Sequence, residues 1–330
     1  MLHGKSPYLI AEIGVNHNGS ASRAEQMIVE AKHAGFDAVK FQYWIVPEFL
    51  ADETPRASYQ GTGDQRELLE ALGLDQTELR GLRELSREIG IDFAVTPYGP
   101  SAADFVVDLQ PSFVKVGSGD VANPYVLTVV AKSGLPLVLA TGMCSDDEIR
   151  EINTICGTSD VIFLHCISAY PTDLDTVDLL RMHRIGEITG RRVGFSDHTI
   201  GITAASAAVA LGAVAIEKHV TYDVNAEGPD HRASLPLNES ADWVLSLKKL
   251  ATGVHAPEQN SAEAANRRVV RKALYAAKDL PAGHIITRDD FVALRPLLEG
   301  VPALEIDQLC GKVLNTSLNR RQILSPTDLS

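Results

Sequence analysis

What most constrains this chain is a rhythm. From Pro7 to Pro257, short apolar runs rich in β-branched residues alternate with longer helical stretches. The runs are Tyr8–Ile13, Ala38–Gln42, Ile91–Thr96, Phe113–Val116, Pro136–Thr141, Val161–Cys166, Arg192–Ser196 and Ala213–His219. Between them the spacing predicts helices such as Ala21–Ala34, Gln76–Ile89, Tyr125–Lys132, Asp146–Ile155 and Thr203–Leu211, opened or closed by Gly, Pro, Ser or Asp. Near-continuous apolar strands belong to parallel sheets buried on both faces. Eight β/α units in about 250 residues therefore predict a closed (β/α)8 TIM barrel. The rival, an open doubly wound sheet, calls for a Gly-x-Gly-x-x-Gly turn after its first strand. Here that strand runs into Gly14-Val15-Asn16-His17-Asn18-Gly19, which lacks the spacing.

Charge narrows the partners. Thirty basic against forty-three acidic residues leave a net charge of −13. With no Lys/Arg run longer than two, neither nucleic acid nor an anionic membrane surface is an expected partner. The uncharged stretch Gly201–Ile216 is shorter than a membrane-spanning helix and reads as a buried helix followed by a strand. Met1–Pro7 has no apolar signal core, and Cys144, Cys156, Cys166 and Cys310 form no Cys-x-x-Cys pair, so a cytoplasmic protein with reduced thiols is expected. After Ala256 the composition turns polar. The expected domains are a catalytic barrel over 1–257, a linker over 258–271 and a compact module over 272–330 with turns at Pro281-Ala282-Gly283, Pro296, Pro302 and Gly311. Such a module is small for an independent core, which predicts docking on another domain or subunit.

Period-two alternation sorts the strand side chains. In Ala38–Gln42 it sets Val39 and Phe41 against the helices and turns Lys40 and Gln42 into the barrel; in Phe113–Val116 it turns Lys115 inward. A buried ammonium needs an anion. The two lysines read either as a site for an anionic ligand or as ion pairs with Glu12 or Glu217. Gly117-Ser118-Gly119-Asp120 follows Lys115, and its N–H groups and hydroxyl suit a phosphate or carboxylate, though any tight βα turn uses such residues. Ser196-Asp197-His198 ends the seventh run and Glu217-Lys218-His219 the eighth. On adjacent barrel strands the imidazoles share a rim, where they either bind one divalent ion, Mn2+ or Mg2+, or hydrogen-bond to loop backbone. Glu12 reads equally as a general acid or base and as the partner of Lys40. Further rim residues are Asn16-His17-Asn18, Thr96-Pro97-Tyr98, Thr141-Gly142-Met143, Ser168-Ala169-Tyr170-Pro171 and Gly228-Pro229-Asp230-His231, whereas Met143 and Trp44 read as packing.

Taken together, Ala11–Gly19, Val39–Gln42, Lys115–Asp120, Gly194–Thr199, Glu217–His219 and Gly228–His231 resemble the sialic acid synthase (N-acetylneuraminate synthase) family, in order and over almost the full chain. Ala273–Ala276 and Asp279–Thr287 resemble that family's antifreeze-like (SAF) domain. The resemblance implies a metal-dependent condensation of phosphoenolpyruvate with the open-chain aldehyde of an N-acylated mannosamine-type sugar, giving a nonulosonic acid and phosphate. It implies that Lys40, Lys115, Ser118, Thr96 and Ser196 hold the anionic groups of phosphoenolpyruvate while Tyr170 and Ser168 close over it. By the same resemblance His198 and His219 hold Mn2+ or Mg2+, and Glu12, Gln42 and Asp230 meet sugar hydroxyls, with Glu12 also placed for proton transfer. The family's small domain reaches across a homodimer, and the matching arginine here is Arg295. Two departures stand out: Leu297-Leu298-Glu299-Gly300 replaces the usual Gly-x-Gly after Arg295-Pro296, and Ala140 and Ser168 stand where many members have Ser and Asn. The competing readings are another phosphoenolpyruvate-dependent or Schiff-base barrel synthase or aldolase, a legionaminic or pseudaminic acid synthase, and a sugar-binding barrel without catalysis.

Overall fold

A computed structural model describes residues 6–329 apart from 53, 58, 59, 61, 62 and 255–259. The start of the N-terminal stretch read as lacking a signal core, and the boundary read at 257/258, lie outside the described residues. The strands are β1 Tyr8–Gly14, β2 Ala38–Trp44, β3 Asp92–Tyr98, β4 Phe113–Val116, β5 Leu137–Ala140, β6 Val161–His165, β7 Arg192–Asp197 and β8 Ala215–Thr221. Each pairs in parallel with the next, and β8 returns to β1 through a register running from Tyr8↔Ala215 to Glu12↔His219, so the sheet closes into the expected barrel. β3 and β8 run past the bounds read from sequence because Tyr98 pairs with Trp44, and Thr221 with Pro236 of the short β9 Leu235–Pro236.

The helices follow their local signals. Ala21–Ala34 opens with the Ser20 side chain accepting from Arg23 N and closes at Gly35 with φ 89°. A capping box between Asp75 and Glu78 opens Gln76–Ile89. Two further helices, Val46–Phe49 and Gln65–Leu72, fill the long connection between β2 and the Gln76 helix.

Alternation divides the strand side chains into an outer and an inner set. Leu9, Ile13, Val39, Phe41, Val95 and Phe163 pack outward under the helices. Inside, Ile10, Ala38, Ala94, Phe113, Val138, Ile162 and Ala215 form an apolar plug. One step further along β1, β2, β3, β4 and β8 come Glu12, Lys40, Thr96, Lys115 and Glu217, joined by Ser196 of β7, all buried. The plug keeps water from the barrel's lower half, so this polar tier is solvated only by itself and by whatever enters from the C-terminal mouth.

The chain divides into two units, Met1–His255 and Ala256–Ser330. In the second, the stretch read as linker contains a helix, Ser261–Val270, followed by the antiparallel pair β10 Ala273–Ala276 and β11 Phe291–Leu294. Its core is its own, built around Leu274, Ile286, Phe291, Leu314, Leu318 and Leu324. Among the described residues no helix is long and apolar enough to cross a membrane.

Candidate active site

The two inward lysines are already paired. Lys40 Nζ lies 2.7 Å from Glu12 Oε2 and 3.6 Å from Glu217 Oε2, and it donates to Thr96 Oγ1 at 3.1 Å. Lys115 Nζ lies 3.4 Å from Glu217 Oε1. The ion pairs left open by the sequence are therefore present, and burial of these ammonium groups does not by itself demand an external anion. Two acids and two bases make the tier neutral overall, but its members titrate differently. Burial raises the Glu12 carboxyl against the pull of Lys40. Burial acts on Glu217 too, yet Lys115 and Lys40 together outweigh it and hold that group low. Burial likewise lowers Lys115, while Glu12 and Glu217 offset it at Lys40 and leave that group raised.

The histidines come together as expected. The β7–β8 register pairs Ser196 with Glu217 and Asp197 with Lys218, and the His198 and His219 rings that follow have centroids 5.8 Å apart. The His198 Nδ1–H donates to the Ile167 carbonyl at 2.6 Å, so Nε2 carries a lone pair. Its neighbour, Ser196 Oγ at 3.3 Å, has one proton to give, and Glu217 Oε1 takes it at 2.8 Å. The His219 Nδ1 is buried with no hydrogen-bond partner among the described residues. Burial lowers both rings, His198 to about 4 and His219 well below its ordinary range, which keeps them neutral. Two neutral imidazoles with unfilled lone pairs on one cavity fit a divalent ion that takes its other ligands from water or substrate oxygen. Among the described residues no group of three or more His, Cys, Asp or Glu is arranged to hold a metal.

The other expected residues gather on the same cavity, of about 570 Å3, at the mouth of the barrel. Gln42 Nε2 donates to Glu12 Oε1 at 2.8 Å. Ser118 Oγ accepts from Gly142 N at 3.0 Å, and a Cβ on Gly142 would lie 2.4 Å from Ser168 Oγ, so glycine is what lets these groups converge. The Tyr170 ring lies 4.2 Å from that of His198. Asp230 Oδ2 is 3.6 Å from His219 Nδ1; burial, then the Glu12 charge, push its carboxyl up to about 7. Arg295 is exposed in the second unit, one residue beyond β11.

Some of the lining was not foreseen. Cys166 Sγ sits 3.2 Å from Ser118 Oγ, at the end of an inward-facing period that the β6 run already displays. One wall is apolar, formed by Val15, Trp44, Phe49, Leu68 and Leu72 beside the expected rim residue Tyr98. Its only sequence signal is the density of large apolar residues between Trp44 and Leu72. Trp44 does pack there, as read, but Met143 is 75 % exposed at the mouth, so the packing reading fails for it.

A closed parallel barrel that gathers buried acids, bases and histidines at its C-terminal mouth is built as an enzyme. The chain belongs to the NeuB family, whose profile matches residues 27–257, and residues 271–330 match the SAF domain. It is 35% identical to the N,N'-diacetyllegionaminic acid synthase of Legionella pneumophila, over 94% of this chain and 91% of that one. To the human N-acetylneuraminate-9-phosphate synthase it is 34% identical over 94% of this chain and 89% of the relative. Among solved structures, the N-acetylneuraminic acid (sialic acid) synthetase of Leptospira borgpetersenii in complex with citrate matches with a TM-score of 0.73 at 29% identity, covering 80% of this chain and 91% of that one.

Proposed function

We propose that this enzyme condenses phosphoenolpyruvate with the aldehyde of a neutral N-acylated mannosamine-type sugar, releasing phosphate and a nonulosonic acid. The observation that carries the reading is the lysine–acid tier lying beside two neutral histidines in one cavity. On substrate entry Lys40 and Lys115 exchange their carboxylate partners for the carboxylate and phosphate of phosphoenolpyruvate, with Ser118, Thr96, Ser196 and Ser168 supplying hydroxyls and Tyr170 covering the site. A divalent ion, Mn2+ or Mg2+, held by His198 and His219 would polarise the sugar's aldehyde oxygen. As C3 of phosphoenolpyruvate bonds to the aldehyde carbon, that oxygen takes a proton; Glu12, left by Lys40 in a buried site that raises its carboxyl, would take up a proton from water on substrate entry and pass it on. Water then adds to C2, and phosphate leaves as the 2-keto group forms. Gln42 and Asp230 orient the sugar.

The apolar wall favours an acceptor that presents acyl methyls and deoxy carbons to it, as a diacetamido-trideoxy hexose does. A sugar 6-phosphate adds a third anion to a mouth whose described lysines, Lys40 and Lys115, phosphoenolpyruvate already engages. We further propose a cytoplasmic homodimer in which the partner's Arg295 meets the N-acyl carbonyl. In support, mouth loops expose Met143, Leu180 and Ile200, the first turn of the helix Pro124–Lys132 exposes Tyr125, and the second unit exposes Leu304 and Ile285.

The test is phosphate release from phosphoenolpyruvate with Mn2+ and a panel of N-acetylmannosamine, its 6-phosphate and a diacetamido-trideoxy hexose, with product masses measured. Release only with a sugar, fastest for the diacetamido sugar, is expected. Release with no sugar requirement, or no release from the panel at all, would overturn the condensation.

A further inference from the structure

Two rim motifs, Asn16-His17-Asn18 after β1 and Gly228-Pro229-Asp230-His231 after β8, have no task beyond that of Asp230, and they meet in space. His231 is wholly buried. With its proton on Nε2 the ring donates to Asn18 Oδ1 at 3.0 Å and accepts at Nδ1 from Thr221 Oγ1, at the end of β8, at 2.7 Å. Asn18 Nδ2 donates across to the Glu227 carbonyl at 2.9 Å. Gly228, with φ 154°, lies flat against this contact: a Cβ there would come within 2.7 Å of the His231 ring and 3.1 Å of Asn18 Oδ1. A second tie runs parallel. Asn16 Nδ2 donates to Ser234 Oγ and to the Val220 carbonyl, both at 2.8 Å, and Ser234 Oγ donates to the Asp230 carbonyl at 2.7 Å. Outside these, the Arg23 guanidinium covers the Tyr222 ring at 4.6 Å.

Asp230 is thus held on both sides by groups it did not bring. Its own carboxyl touches neither tie and projects to the cavity beside His219. We propose that Asn18 and His231 are positioning residues for the acceptor sugar: they latch the loop after β8 to the loop after β1 and so fix the Asp230 carboxyl at the cavity wall. The proposal rests on the reading of Asp230 as a sugar contact.

A kinetic double-mutant cycle tests it. Asn18→Gly keeps a residue suited to the φ of 50° at that position while deleting the amide. Asn18→Gly and His231→Ala should each raise the KM for the sugar by about 10-fold to about 100-fold, the penalty of a small misplacement. The KM for phosphoenolpyruvate should stay within about 2-fold, the noise of additivity. Combined with Asp230→Asn, either substitution should add nothing to the loss that Asp230→Asn causes alone, because a latch acts only through what it holds. If His231→Ala fails to fold, the Asn18→Gly arm completes the cycle, since Asn18 is only half-buried. Full additivity, or equal rises in both KM values, would overturn the latch while leaving Asp230 in place. Wild-type kinetics for Asp230→Asn would overturn the sugar role of Asp230 and the latch with it.

Discussion

The same two strands carry opposite chemistry on their two faces. Outward, Asp197 and Lys218 lie 3.0 Å apart; Asp197 Oδ1 also accepts from Thr199 N at 2.9 Å and Thr199 Oγ1 at 2.8 Å, and Lys218 donates to the Thr199 carbonyl. Inward, at the same level, Ser196 has one proton for two acceptors and His219 Nδ1 has no hydrogen-bond partner among the described residues. Both faces are buried, so depth is not the difference. Folding completes the outer set and leaves the inner one incomplete. Buried polar groups are normally satisfied, and those left short mark the places where something else is meant to bind.

The largest expected effects fall where that contrast is sharpest. His219→Ala should cut turnover by at least about 1000-fold, as loss of a main electrostatic contact to the reacting oxygen does, with little change in unfolding midpoint. Excess chelator should do the same to the parent enzyme. Lys218→Met should do the reverse. It strands the Asp197 charge in the core, costing about 3–5 kcal/mol in urea unfolding, whereas Asp197→Leu with Lys218→Met together should recover most of that stability. Should His219→Ala destabilise the chain as much as Lys218→Met, the inner face is structural and the contrast collapses.

How far the sequence foretold this depends on periodicity. Strands buried on both faces must be apolar, so the barrel was legible, and the lysines and histidines that break the pattern at strand ends announced themselves. Alternation also gave their direction. What it could not give was distance between strands, which is why Glu12 and Glu217 stood as open partners rather than as members of one tier. The wall around Trp44 and Leu68 escaped for another reason: an apolar residue facing a cavity has the same sequence signature as one facing the core. Met143 shows the same ambiguity from the other side. The Asn18–His231 contact spans 213 residues and involves no charge or period that would link its ends.

A smaller effect sharpens the lesson about satisfied charge in the second unit. Asp290 is buried there, with Oδ2 accepting from Thr287 N and Oγ1, both at 2.7 Å, and from His284 Nε2 at 2.8 Å, and with Oδ1 2.9 Å from Lys278 Nζ. Burial alone would raise this carboxyl; His284, Lys278 and Thr287 more than offset it and hold it well below the usual range. Glu12 has the opposite balance, burial winning over Lys40. The signs of their linkage differ accordingly. With Asp290 depressed, the unfolded chain binds the extra proton at acid pH. Its stabilisation is present above the ordinary aspartate pKa of about 3.9 and fades as pH falls through the native value. Relative to the parent, Asp290→Asn should therefore be destabilised at pH 7 by a gap that holds down to about pH 4 and narrows as the pH falls further in denaturant titrations. A gap that holds constant with pH would mean that Asp290 contributes shape and neutral hydrogen bonds but no charge, and that a complete partner set is not what separates this carboxylate from Glu12.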